Sequence, residues 1–291
     1  MQRFSILSSD GVTKLAAYRT TPENPRAMVQ ISHGMCEYFM RYEGFAEYLT
    51  EHGFLVFGHD HLGHGNSAAS TDDLGFTVSG GGHRHLIEDV HLLSLKMKEE
   101  YPSLPLILFG HSMGSFIARA VIEQYGKDYK AAILCGTGGP DTPAGAGKLL
   151  ASLLMLFCGE RHRSKLLKSI AFMGYNKKFE KGCDKNAWLT RDADVIARYN
   201  ADPFCSYIFT LRAYHDLFSL VALVNRREWA QNIRKDLPIL VVSGELDPVG
   251  SYGSGVKAVA KMLEDAKIEE LTLTLYPEMR HEFLILLDIF L

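Results

Sequence analysis

The sequence predicts an α/β fold, with a mostly parallel, eight-stranded sheet flanked by helices and a helical cap inserted before an acid-bearing strand. Three observations predict it. Short apolar runs alternate with stretches whose apolar residues recur at helical spacing, which is the rhythm of strand, helix, strand. That rhythm lapses between about residues 136 and 235, which read as helices without strands. Between an apolar run and a helical one stands Gly110-His111-Ser112-Met113-Gly114, the punctuation of a tight strand-to-helix turn.

The elements follow in order. Residues 4–8 and 13–18 flank Asp10-Gly11, a hairpin signal. Residues 27–32 and 54–59 read as inner strands. The helix between them carries Tyr42, Phe45, Ala46 and Leu49 on one face, and Gly53 is placed to end it. Leu86, Ile87, Val90, Leu93 and Met97 give the next helical stripe, before Pro102. Residues 104–109 form a buried-strand run, and Ile117, Ala120, Val121 and Ile122 mark a helix over 115–125. Residues 131–135 are a further strand. Strand signals resume at 238–243 and 271–276. The chain therefore divides into a core, residues 1–136 and 236–291, and a helical cap or lid, residues 137–235.

Small residues two before and two after Ser112 let the backbone turn without Cβ clashes. The turn holds the hydroxyl at the N-terminus of the following helix. A serine hydroxyl is a poor nucleophile at neutral pH and needs a base, which an acid must orient. The strand–turn–helix context predicts the chain order serine, acid, histidine. Asp247 follows the run 238–243, and His281 follows the run 271–276. Both fall in loops past strand C-termini, the edge of a parallel sheet where ligands bind. Of twelve histidines only His281 comes after Asp247; His33 and His111 read as structural. Glu245 is the rival acid, and Asp247 is preferred as the residue the strand end should fix. Backbone N–H groups of Met35 and Met113 are the expected oxyanion hole, each worth about 3 kcal/mol. Glu37 and Arg41, four apart, would pair on one face of a helix; their closeness to Met35 also suits binding of a polar head group.

Composition narrows the classes. A chain of 291 residues, 47% hydrophobic, can bury a large core. Its net charge of −3 creates no field that would draw it to nucleic acid. No apolar run approaches the ~18 residues of a membrane span, and residues 1–10 lack the apolar core of a signal peptide. Five scattered cysteines fit neither a disulfide framework nor metal spacing, which suits a reducing cytoplasm. The cluster His59-Asp60-His61-Leu62-Gly63-His64 invites a metallohydrolase reading. The glycine-rich turn that follows and the lack of a second ligand cluster favour a structural one, with no metal.

Taken together, His33-Gly34-Met35-Cys36-Glu37 with Arg41-Tyr42, the stretch His59 to Ser67, the Ser112 motif, Asp247-Pro248-Val249 and His281-Glu282 resemble the monoglyceride lipase and lysophospholipase group. That group, which includes serine aminopeptidase S33-like hydrolases, belongs to the α/β-hydrolase superfamily. The resemblance runs from about residue 3 to residue 285 and is weakest across the cap. It implies Ser112, Asp247 and His281 as the triad, Met35 and Met113 as oxyanion donors, and Glu37 and Arg41 near the glycerol-binding end of the pocket. It implies a serine esterase or lipase that hydrolyses carboxylic esters of single-chain lipids without a cofactor, foremost monoacylglycerol to glycerol and fatty acid. The alternatives are a lysophospholipase and, in a different class, a non-catalytic ligand-binding homologue. Such an enzyme would be cytoplasmic or membrane-peripheral. Residues 148–158, apolar around most of their circumference, read as a helix buried between cap and core, or as an acyl-binding wall or membrane-touching lid. Residues 159–182 follow with seven Lys or Arg against two Glu, hence +5, a charge suited to anionic lipid. Two departures stand out. Tyr38 replaces the histidine common after the glutamate, and the short apolar segment 283–291 must pack on the sheet or on another molecule.

Overall fold

A computed structural model describes residues 1–140 and 143–282; the apolar segment 283–291 lies outside them. The strands are Gln2–Leu7 (β1), Lys14–Thr20 (β2), Ala27–Ser32 (β3), Phe54–His59 (β4), Leu106–His111 (β5), Ala131–Cys135 (β6), Ile239–Gly244 (β7) and Leu271–Tyr276 (β8). They form one sheet in the order β1-β2-β4-β3-β5-β6-β7-β8. The hairpin β1–β2 is antiparallel, β2 runs antiparallel to β4, and every later pairing is parallel. This is the α/β-hydrolase fold.

Strands in the middle of such a sheet are covered on both faces, so they are apolar throughout rather than alternating. All six residues of β3 are buried. Neighbours along a strand point to opposite faces, and the core divides accordingly. Met28, Leu55, Phe57, Leu106 and Leu108 join the larger cluster, while Val29, Ile31, Val56 and Phe109 join the smaller one. The smaller cluster includes Phe39, Tyr42 and Ala46, from a 3-10 turn over Phe39–Tyr42 and the helix Glu43–Glu51 (α1). The larger takes in the helices Gly82–Glu100 (α2), Met113–Tyr125 (α3) and Ser254–Asp265 (α8).

β5 begins two residues later than the apolar run suggests. Pro105 has no N–H to give to the ladder; its carbonyl accepts from Met28 N at 2.8 Å, and pairing starts at Leu106. At the other end Gly110 and His111 still pair, with Ser32 on one side and Leu134 and Cys135 on the other. The strand therefore runs up to Ser112 without a break.

Between β6 and β7 lie the helices Ala144–Cys158 (α4), Lys165–Ala171 (α5), Ala193–Ala201 (α6) and Leu211–Val224 (α7), with no strand among the described residues. Three begin on side-chain caps, Ser164, Asp192 and Thr210, which satisfy first-turn amides. α7 is integral to the main core. Its Leu211, Tyr214, Leu220 and Val224 share one cluster with α2 and α3. α4 packs on α7, with Gly147 pressed so close to Phe218 that a β-carbon there would sit 2.8 Å from the ring.

Candidate active site

The C-terminal ends of β3, β5, β7 and β8 bring the site together. Ser112 stands at the junction of β5 and α3, with φ 54° and ψ −121°. A non-glycine residue at positive φ is strained by about 1–3 kcal/mol and persists only where its surroundings over-determine it. Here they do. Ser112 N donates to the Cys135 carbonyl at 3.0 Å, and the Ser112 carbonyl accepts from Ser115 N at 2.8 Å. The flanking glycines cannot be enlarged: a β-carbon on Gly110 would lie 2.3 Å from the Gly114 carbonyl oxygen, and one on Gly114 only 1.9 Å from that of Ser32.

Asp247 and His281 meet below this turn. His281 Nδ1 is 2.9 Å from Asp247 Oδ2, and both residues are buried. Asp247 also accepts from the Ser243 hydroxyl at 3.0 Å and from Val249 N at 2.8 Å. Burial alone would raise its carboxyl; the His281 ring and these donors outweigh it and hold the group below its ordinary value. Glu245, nearer to the end of β7, is exposed. What fixes Asp247 is therefore the turn beyond the strand, where its N–H reaches the Gly244 carbonyl at 3.2 Å, and not the strand end. Among the described residues, His281 Nε2 is buried and has no hydrogen-bond partner.

Ser112 and His281 line one cavity of about 610 Å³, within the range of small-molecule sites. Met35 and Met113 line it too. Met113 opens α3, so its N–H is one of the first-turn amides that have no acceptor within the helix. A β-carbon on Gly34 would lie 2.9 Å from Ser112 Cβ, so the loop after β3 abuts the serine.

Glu37 lines the cavity but is bonded on all sides. It accepts from Gly34 N, from the Tyr42 hydroxyl at 2.7 Å and from Arg41 Nη1 at 2.8 Å. Arg41 is not among the lining residues. It reaches across to Glu282 with two bonds, 2.7 and 2.9 Å. The expected pair exists, built on a 3-10 turn rather than an α-helix. Tyr38 points away from the cavity to Asp202 at 2.8 Å.

The histidine-rich turn is an internal brace. His61 N donates to His33 Nε2 at 2.9 Å, His61 Nε2 lies 3.0 Å from Ser32 Oγ, and Asp60 accepts from Phe39 N and Asn66 N, each at 2.8 Å. Burial pushes His33 and His59 down to about 3 and His64 to about 4, so these rings are neutral. Among the described residues no group of three or more His, Cys, Asp or Glu is arranged to hold a metal.

The insertion supplies most of the apolar lining, from Phe172, Tyr175, Trp188, Tyr214, Leu217, Phe218 and Val221. Trp188 went unrecognised in the sequence. Its ring lies 5.1 Å from that of His281, and its carbonyl accepts from His281 N at 3.4 Å. The only hint was its rarity, since the chain has two tryptophans. No α4 residue lines the cavity, so this helix is not an acyl-binding wall. One side packs inward through Ala144 and Ala151, while Leu156 and Phe157 are 79% and 87% exposed. Leu166, Ile170 and Met173 add exposed apolar surface on and just after α5. Among the described residues no helix is long and apolar enough to cross a membrane.

Comparisons with known proteins bear on the family and the fold. A family model described as serine aminopeptidase, S33 matches residues 23–287. The chain is 27% identical to the monoglyceride lipase of Homo sapiens over 284 residues, covering 95% of this chain and 82% of that one. It is 29% identical to the monoacylglycerol lipase of Mycolicibacterium smegmatis, covering 90% and 84%. Among solved structures, a thermostable carboxyl esterase from Bacillus coagulans in complex with glycerol is 31% identical, with TM-score 0.90 over 97% of this chain and 91% of that one.

Proposed function

The chain belongs to the serine aminopeptidase S33 family and is a carboxylic ester hydrolase of lipase or esterase type, and from that premise we propose that it cleaves monoacylglycerols with Ser112, His281 and Asp247 as its triad. The observation that carries this is the His281 ring, bonded to buried Asp247 through one nitrogen and, among the described residues, unpartnered at the other, on a cavity that Ser112 also lines.

The steps follow from these positions. Ser112 Oγ attacks the ester carbonyl as His281 Nε2 takes its proton, and Asp247 stabilises the charge that forms on the ring. The tetrahedral oxyanion is held by Met35 and Met113 N–H groups. His281 then gives the proton to the departing glycerol, leaving an acyl-serine. Water, deprotonated by His281, attacks that ester; the fatty acid departs and Ser112 recovers its proton. The aromatic and aliphatic lining contributed by the insertion suits one acyl chain, and the insertion would serve as the cap of the site. Glu37, at the polar end, would face the glycerol, with Arg41 orienting it from behind.

Lysophospholipids are a second reading, favoured by Lys168, Lys177 and Lys185 in the cavity lining, which would attract a phosphate. The exposed apolar faces of α4 and α5, helices that also carry Lys148 and Lys165, support peripheral contact with an anionic lipid surface. Ser112→Ala should abolish both ester hydrolysis and labelling by a fluorophosphonate probe; labelling that survives removes Ser112 from its role. A turnover panel of monoacylglycerols, lysophospholipids and short esters separates the two substrate readings.

A further inference from the structure

Behind the serine lies a buried ionic network that the hydrolytic steps do not use. Glu37, Arg41, Tyr42, His111 and Glu282 connect the loop after β3, the strand end that precedes Ser112 and the loop that carries His281. Hydrogens are fixed here by the chemistry of the partners. His111 Nε2 lies 3.2 Å from the His281 carbonyl oxygen, which can only accept. On the other side His111 Nδ1 lies 2.8 Å from the Tyr42 hydroxyl and 3.3 Å from Glu37 Oε1. Tyr42 has one proton, and its oxygen is 2.7 Å from Glu37 Oε1. Were that proton given to His111, two bare oxygens would face each other at this distance. Given to Glu37, it leaves a lone pair for an Nδ1–H. Glu37 itself takes the Gly34 N–H on Oε1 and Arg41 on Oε2, and both bonds favour the carboxylate.

We propose that His111 is a buried imidazolium, a positioning residue that donates through both ring nitrogens and clamps the serine turn to the histidine loop. The inference rests on the proposed roles of Ser112 and His281. The charges close around it: Glu37 and Glu282 are negative, Arg41 is positive, and His111 completes a neutral quartet. Uncompensated charge at such burial is costly. Burial would push the His111 ring down, but Glu37, Glu282 and the His281 carbonyl reverse this and hold it above the ordinary imidazole value. For Glu37, burial would raise the carboxyl, and His111 and Arg41 drive it down. His33 makes the contrast. One of its nitrogens accepts an amide N–H from His61, which only a neutral ring can do.

The charge has a consequence for the base. The rings of His111 and His281 are 4.7 Å apart. A fixed positive charge at that distance bears on the imidazolium that forms in the proposed reaction and favours passing its proton to the leaving alcohol. From the insertion, Tyr199 is stacked on Arg41 with its ring centre 4.9 Å away, the Trp188 ring lies 5.1 Å from that of His281, and Cys205 faces Arg41 and both glutamates with its thiol pushed up by burial; none of the three carries a counter-charge at neutral pH.

Long-range 1H–15N correlation spectra of the unsubstituted protein, labelled at histidine, test this directly. One histidine, missing from the spectrum of His111→Gln, should show protons on both ring nitrogens across the neutral pH range, while His33 stays singly protonated. A neutral tautomer at His111 overturns the proposal. In His111→Gln, which can still donate to the His281 carbonyl, the acidic limb of kcat/KM should move up by about half a unit to one unit. A lower kcat with that limb unmoved would reduce His111 to packing and overturn its electrostatic role. The spectra read His111 whether or not Ser112 is the nucleophile, so failure here is distinct from labelling that survives Ser112→Ala.

Discussion

Asp247 illustrates what burial does at the residue scale. A lone carboxylate in this position would be neutral, since desolvation disfavours charge; two donors and the His281 ring keep it ionised. An amide has nearly the same shape and no charge, and its NH2 would face His281 Nδ1, which forces the ring into the other tautomer. Asp247→Asn should therefore fold normally yet lower kcat by about four orders of magnitude, measured as turnover of a short-chain ester against an unchanged thermal midpoint. Ser112, Asp247 and His281, which the proposed mechanism uses as nucleophile, acid and base, stood out as candidates in the sequence because each follows a strand-like run in the expected order. The network around His111 was not. His111 read as structural, and nothing local shows that its two nitrogens face a tyrosine from one loop and a carbonyl from another.

At the scale of elements, the inner strands were legible for a physical reason: cover on both faces demands continuous apolar runs, and those runs fixed β3, β4 and β6 to the residue, while the edge strand β8 was marked by its alternation instead. The insertion resisted reading because helical periodicity marks an apolar face but not its partner. α4 shows this. Its apolar circumference was equally consistent with a buried helix, and the structure divides it, Ala144 and Ala151 inward and Leu149, Leu153, Leu156 and Phe157 outward. Each large side chain transferred from water into lipid gains about 1.5–3 kcal/mol. The double substitution Leu156→Glu with Phe157→Glu should thus cut co-sedimentation with anionic vesicles at least tenfold, while hydrolysis of a water-soluble ester is unchanged. Equal binding by the variant would exclude this face as the contact.

At the scale of the whole molecule, stability against acid depends on how the insertion is tied to the core. Asp216 on α7 is fully buried and accepts from Thr77 Oγ1 at 2.6 Å, with His83 Nδ1 at 3.4 Å. Burial would raise its carboxyl, yet His215, His83 and Thr77 bring it down from 3.8 to about 2. A carboxyl depressed by folding stabilises the native state above its unfolded value and loses that contribution as pH falls through the folded one. The effect, about 2 kcal/mol, should vanish between pH 3.8 and about 2; urea midpoints across that window should fall in the parent protein and flatten in Asp216→Asn. The loop bearing His281 is tied to the insertion more intimately still. Glu282 N donates to the Leu189 carbonyl at 2.6 Å and Arg280 donates to the carbonyls of Ala187 and Thr190, while Tyr199 ties the insertion to the loop after β3 by donating to the Cys36 carbonyl at 3.1 Å. Because these bonds link residues 187–190 to the backbone on either side of His281, displacing that segment would pull on the loop that carries the imidazole.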